Sequence, residues 1–412
     1  MQGGFVRNCR GLGSRSGHVG ARVRTPVWSA AFVVVAAGAG AAQAAPSLNL
    51  PQTFADTKAK LAAGGQADIV VLGDSLTFDE TNGWRRYFRD KMQARYGNAG
   101  PGYNALGPAR GSFPAGWEAG AVGADTVPHR AIDGLWLSAP ASTPALGPGS
   151  VDMGWPTGTL QYVAEPGGGK VDVQMWNGTS VTLDTAAAQT EVRTWSYSIP
   201  IQAGATTALT FTPHGDGRVT LLGQNLTNSA PGVRVHRASN GGWGVDNFLQ
   251  RDVTFDQQLG LLDSDLVMVA VGANDVGRWT PTEFADKTNQ LIDRIHTAVP
   301  QAEIALVSTY DMGSSQLPAL VAAMQQVASD RGVGFINLYE VAGSYSFFQS
   351  NHYLSDGLHF NSAGADYVGG IVSDAFATDG ASLVPEPAAL GLLAVAACAT
   401  LRRRRRRSCS GR

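Results

Sequence analysis

The chain is almost without cysteine: of 412 residues only Cys9, Cys398 and Cys409 carry a thiol, and all three sit near the ends. Between them there is neither a disulfide framework nor any thiolate chemistry. Positive charge is also scarce once the ends are set aside. Five of the 31 lysines and arginines precede residue 45 and seven follow residue 401, which leaves 19 against 32 acidic side chains, a net charge of about −13. A surface of that sign excludes nucleic acid and anionic lipid as natural partners and favours neutral substrates. No internal repeat is evident. Roughly 340 residues must therefore hold together by ordinary apolar cores, a length that suggests two domains rather than one.

The long apolar runs are confined to the termini. Arg7, Arg10, Arg15, Arg22 and Arg24 precede WSAAFVVVAAGAGAA and then Ala42-Gln43-Ala44, the pattern of an export signal over residues 1–44, removed by signal peptidase. At the other end, Val384-Pro385-Glu386-Pro387 is followed by AALGLLAVAACATL and the arginines Arg402 to Arg407. That apolar stretch is short for a spanning helix, which needs about 20 residues, but flanking arginines snorkel and fix a cytoplasmic end. The order over residues 384–412 resembles the PEP-CTERM sorting tail of exported bacterial proteins. The resemblance implies a transient anchor cut by a sorting protease; a permanent short anchor is the alternative. The expectation is an exported protein of the cell envelope, the cell surface or the extracellular space that meets membrane only through this tail.

Two textures alternate in the body. ADIVVLG, DLVMVAVG, EIALVS and GFINL are short continuous apolar strands, separated by amphipathic stretches such as GWRRYFRDKMQARY and TPTEFADKTNQLIDRIHTAV. This pattern predicts an α/β fold whose parallel sheet is covered on both faces, with Pro281 in a favourable first-turn position. Residues 98–231 differ: TLQYVAEPGGGKVDVQMWNG, SVTLDT, RTWSYSIPI, ALTFTPHGDG and RVTLLGQNL alternate apolar and polar between turn residues. They predict an inserted antiparallel β-sandwich, dividing the α/β domain into a first part, 45–97, and a second, 232–380. Five of the nine tryptophans, Trp117, Trp136, Trp155, Trp176 and Trp195, fall in the insert. Most tryptophans in sandwiches are core, though an exposed one stacks on a sugar ring.

A serine follows directly on the first apolar strand, in VVLGDSLTF. In an open parallel sheet the working crevice lies beyond the carboxyl ends of the strands, so Ser75 is delivered to it, and Gly73 permits the sharp turn. A nucleophilic serine needs a base. Among seven histidines, His18 lies in the export signal, His129 and His214 in the insert, and His236 and His296 in regular elements. His359, in SDGLHFNSAGADY, has Asp356 three residues before it, within reach to orient the imidazole. His352 has no carboxylate at that spacing. Donors for an oxyanion stand after two other strands, in NGGWG and in Gly272-Ala273-Asn274-Asp275, although Gly and Asn are also common turn formers.

Taken in order, GDS, the glycine turn, GAND and DGLH resemble the SGNH hydrolases, also called GDSL esterases, over roughly residues 65–100 and 232–378. The resemblance implies a flavodoxin-like three-layer α/β/α sandwich with Ser75 as nucleophile, His359 as base and Asp356 as its orienter. It implies an oxyanion hole of the Ser75 and Gly241 N–H groups and the Asn274 amide, with no metal and no organic cofactor. Gly242 competes with Gly241, and the glycine turn stands 166 residues beyond Ser75 because of the insert. GNAGPGYNALG also resembles SGNH enzymes that deacetylate cell-wall or extracellular glycans. The expected substrate is a small acyl ester or acylated glycan, hydrolysed through an acyl-enzyme. Three alternatives remain: acyl transfer from the same intermediate, an inactive glycan-binding surface protein, and a glycosidase pair drawn from Asp79, Glu80 and Asp275.

Overall fold

The computed structural model describes residues 54–78, 80–106, 116–140, 146–202 and 204–378, without the side chains of 146–152. All of them belong to one compact unit, 44–412. The expected export signal, the C-terminal tail and Asp79 lie outside the described residues. Among the described residues no helix is long and apolar enough to cross a membrane.

Five parallel strands form the central sheet, in the order Gly232–Ser239, Gln66–Gly73, Leu266–Ala270, Glu303–Val307, Gly334–Ile336. Their apolar runs are continuous because alternate side chains enter two different cores. Ile69, Val71, Met268 and Val307 point to one, against the helices Ala55–Ala62, Trp84–Tyr96 and Ser362–Ala377. Val70, Leu72, Val269 and Leu306 point to the other, against Val245–Leu249, Val253–Leu261, Pro281–Ala298 and Leu317–Arg331. Each large aliphatic side chain so buried contributes about 1.5–3 kcal/mol.

The helix over 281–298 follows from its sequence. Thr280 caps it by accepting from the Glu283 N–H, the Glu283 carboxylate reaches back to the Thr280 N–H, and Pro281 sits in the first turn. Phe284, Leu291, Ile292 and Ile295 then fall on one buried face.

Between the first strand and its neighbour Gly232–Ser239 lie two antiparallel sheets. One orders strands Leu146–Asp152, Thr206–Pro213, Lys170–Gln174 and Ser180–Asp184; the other orders Glu118–Ala119, Leu137–Ala139, Val219–Thr227, Thr157–Ala164 and Glu191–Ser198, with Gly102–Ala105 pairing on Val219–Thr227. Leu160, Tyr162 and Leu221 of the second share an apolar cluster with Val171, Val173, Leu209 and Phe211 of the first. Trp117 and Trp136 are buried, whereas Trp176 and Trp195 pack their rings against Tyr197.

This β-rich stretch is bonded into the α/β part. Gln258 accepts from the Ile132 N–H and donates to the Tyr103 hydroxyl and to Gln161. The Tyr103 N–H donates to Nδ1 of the fully buried His236, so Nε2 carries the proton and donates to Asp68 at 2.8 Å. Burial alone would raise the Asp68 carboxyl, but the bonds from His236 and Arg234 outweigh it and hold the group at about 2. His236 is thus a structural residue.

Candidate active site

The first strand ends at Gly73 because nothing larger fits: a Cβ there would lie 2.3 Å from Thr77 Oγ1 and 3.1 Å from the Ala270 carbonyl oxygen. The chain then turns at once into the short helix Ser75–Phe78. Asp74 shapes that turn, its side chain accepting the Leu76 N–H at 2.8 Å while its carbonyl accepts the Thr77 hydroxyl. Burial pushes the Asp74 carboxyl up to about 7, and the nearby Asp275 adds to the shift. The result is a half-exposed Ser75 at the first position of a helix, on top of the sheet.

Ser75 meets His359 across 284 residues of sequence. The serine hydroxyl lies 3.0 Å from His359 Nε2, and His359 Nδ1 lies 2.8 Å from Asp356 Oδ2. Asp356 also accepts the backbone N–H groups of His359 and Leu358 through Oδ1. The His359 N–H first and its imidazole second hold the Asp356 carboxyl down at about 2. An ionised carboxylate only accepts, so Nδ1 bears the imidazole proton, and Nε2 is left to receive the hydrogen of Ser75. That is the polarity a general base requires.

The loop bearing both residues is braced from outside. Tyr310, beyond strand Glu303–Val307, donates to the Leu358 carbonyl at 2.6 Å, and Tyr345 donates to the Gly357 carbonyl at 2.9 Å. Asn361 closes the loop as the cap of helix Ser362–Ala377, accepting from the Ala363 and Gly364 N–H groups.

The expected oxyanion loops leave the same edge of the sheet. Gly73, Ser239 and Ala270 are level across three neighbouring strands, so Gly241 and Asn274 emerge two and four residues beyond the level from which Ser75 starts. Asn274 Nδ2 donates to the Trp243 carbonyl at 2.9 Å, which fixes the amide's orientation and leaves its second N–H for another acceptor. Asp275, fully buried, joins the two loops by accepting the Gly272 and Val245 N–H groups at 3.0 Å each. Gly244 makes room for this, since a Cβ there would stand 2.4 Å from the Asp275 carboxylate. Burial raises the Asp275 carboxyl to about 6 despite those bonds.

The remaining candidates are placed elsewhere. His129 pairs with Asp125, and His214 with Asp172. His296 and His352 are exposed. Glu80 is tied to Arg85 and Arg89, and Asp275 is buried under the loops, so neither stands as a glycosidase acid. Gly241 is buried and Gly242 exposed with φ near +72°. Among the described residues no cluster of three histidine, cysteine, aspartate or glutamate side chains is set to hold a metal. Sequence reasoning missed Tyr310, Tyr345 and the clamp role of Asp275. None of these has a local signature, because each acts on a loop remote in sequence.

A hydroxyl, an imidazole and a carboxylate in line at the carboxyl edge of a parallel sheet define a serine ester hydrolase on an SGNH-type fold. Residues 198–367 match the family described as GDSL-like Lipase/Acylhydrolase, and the chain carries a domain of that family. The match includes Gly241, Asn274, Asp356 and His359 but begins well after Ser75, which the fold restores to the site across the β-rich stretch. A solved structure described as a peptidoglycan O-acetylesterase in action is 16% identical, with a TM-score of 0.64 over 79% of this chain and 95% of that one. A family two carbohydrate esterase from Clostridium thermocellum is 11% identical, with a TM-score of 0.29 over 66% and 97%. A salicylyl-acyltransferase from a tetracycline biosynthetic pathway is 13% identical, with a TM-score of 0.32 over 69% and 96%. The first likeness supports the fold; the other two are too distant to carry an argument. No match was found among curated proteins.

Proposed function

We propose that the protein is an exported serine esterase that removes short acyl groups, acetyl foremost, from carbohydrate, with residues 98–231 acting as an inserted β-sandwich. The observation that carries the esterase reading is the Ser75–His359–Asp356 relay at 3.0 and 2.8 Å. The preference for carbohydrate is supported by the overlap of 79% of this chain with 95% of a peptidoglycan O-acetylesterase. It is supported also by the openness of the rim, where the His359 and Asp356 side chains are 39% and 57% exposed, which suits an acyl group carried on a bulky polymer. Export and sorting rest on the two terminal segments, and the acidic body suits a neutral glycan.

In this reading Ser75 Oγ attacks the ester carbonyl carbon as its proton passes to His359 Nε2. The carbonyl electron pair moves onto oxygen, which the Ser75 and Gly241 N–H groups and the second N–H of Asn274 stabilise. Collapse breaks the bond to the sugar oxygen, and the proton on Nε2 goes to that leaving oxygen. Water, deprotonated by the same nitrogen, then attacks the acyl-enzyme; the bond to Ser75 Oγ breaks, the proton on Nε2 returns to that oxygen, and the free acid leaves. Asp356 stays ionised throughout and stabilises the imidazolium.

The test is turnover of an aryl acetate, acetylated peptidoglycan and acetylated xylan by the wild type and by Ser75→Ala. Loss of at least about 10⁴-fold in kcat is expected for the variant. Undiminished turnover would remove Ser75 as nucleophile, and acetyl transfer to an added sugar in preference to water would make the enzyme a transferase.

A further inference from the structure

We infer that Asn240 is a positioning residue: it sets the Gly241 N–H in the oxyanion hole and is the point through which the β-rich stretch acts on catalysis. The inference rests on the esterase reading above and on Gly241 as an oxyanion donor.

The Asn240 side chain is fully buried, and its amide is bonded wholly to the stretch 121–133. Its oxygen accepts the Gly123 N–H at 3.0 Å, and its nitrogen donates to the carbonyls of Ala121, at 3.2 Å, and Asp133, at 2.9 Å. Its backbone N–H donates to the Gly73 carbonyl at 3.1 Å, two residues before the nucleophile. One residue thus ties the end of the nucleophile strand, the glycine beside it and the β-rich stretch.

Space alone does not fix Gly241. A Cβ at that position would be 3.4 Å from Val122 Cγ1 and 3.7 Å from the Gly123 nitrogen, ordinary van der Waals contact, so the orientation of this peptide depends on the bonds of its neighbour. The stretch that holds Asn240 is itself held. Trp243 Nε1 donates to the Ala124 carbonyl at 3.4 Å, Asp125 accepts from Arg251 and Asn247, and Thr254 accepts the Ala131 N–H at 3.0 Å. An oxyanion donor acts only if it is aimed before charge develops, and a displacement of about 1 Å costs on the order of 10²-fold in rate.

The experiment compares Asn240→Ala and Asn240→Ser with Thr254→Ala, which cuts an anchor of the same stretch away from Gly241. Steady-state kinetics on an aryl acetate are paired with the affinity for an alkyl boronic acid, whose tetrahedral adduct on Ser75 reports the oxyanion hole. For Asn240→Ala the expected result is a fall in kcat of about 10- to 100-fold with KM nearly unchanged, and a parallel loss of boronate affinity. Asn240→Ser, which keeps a small hydrogen-bonding group, falls less and supplies the reading if the alanine variant does not fold. Thr254→Ala stays within about threefold of wild type in kcat. A folded Asn240 variant with unchanged kcat and boronate affinity overturns the inference. So does an equal loss in Thr254→Ala at matched melting temperature. If Ser75→Ala is inactive while the Asn240 variants are not, only this inference fails; if Ser75→Ala is active, the esterase reading fails with it.

Discussion

Asp356 is the least protected member of the relay, yet its charge is the most firmly fixed. Two backbone N–H groups and the imidazole hold it at about 2, so it is a carboxylate at neutral pH. Its function is to dictate which imidazole nitrogen carries the proton. Asp356→Asn keeps the shape and removes that instruction; kcat on an aryl acetate is expected to fall by about 10⁴-fold, with little change in KM. Retention of more than a tenth of wild-type kcat would show that the tautomer is set by something else. In the proposed mechanism Asn274 acts on the other side of the carbonyl. Since only one of its two amide hydrogens is committed to Trp243, Asn274→Ala is expected to cost on the order of 10²–10³ in kcat, measured with the same ester.

At the scale of elements, the relay depends on a loop that belongs to no regular structure. Residues 354–360 are tied at their ends by pairing of Leu354 with Phe360 and along their length by Tyr310 and Tyr345. Each tyrosine hydroxyl bond contributes about 0.5–1.5 kcal/mol. Tyr345→Phe is therefore expected to leave the fold intact and to lower kcat about 2- to 10-fold, through an imidazole that wanders from Ser75. An unchanged kcat would mean that Tyr310 and the helix cap suffice. The strands and helices themselves were legible: the apolar runs marked four sheet strands, and an amphipathic stretch with Pro281 in its first turn marked the helix Pro281–Ala298. Legibility ended at the braces, because a tyrosine in a helix or after a strand looks the same whether or not a distant loop passes over its hydroxyl.

Across the whole molecule, buried acids decide how stability follows pH. Burial raises Asp74 and Asp133 to about 7 and Asp275 to about 6, above the unfolded value of about 4. The folded state then holds protons that the unfolded state has lost, so the stability they contribute is complete below pH 4 and is lost as pH rises toward 7. Asp68 and Asp356, both held at about 2, act oppositely and lose their contribution only as pH falls below 4. Asp133→Asn removes one of the raised acids without touching the relay. Its melting temperature, measured against wild type by circular dichroism, is expected to gain between pH 5 and pH 8; a constant difference across that range would show that Asp133 does not titrate there.

The sequence by itself singled out the proposed machinery: Ser75 because it follows an apolar strand, Asp356 and His359 by their spacing of three, and the donors near Gly241 and Asn274 by glycine and asparagine turns after two further strands. The tertiary structure alone decided how that chemistry is held. Strand Gly232–Ser239 lies beside Gln66–Gly73 only because the chain between them folds away as antiparallel sheets. Asn240 acquires the Gly73 carbonyl from that adjacency, while Asp275 and the two tyrosines acquire theirs from other loops brought together by the fold. A hydrogen bond needs its donor and acceptor about 3 Å apart, and separation in sequence carries no record of which distant atoms come that close.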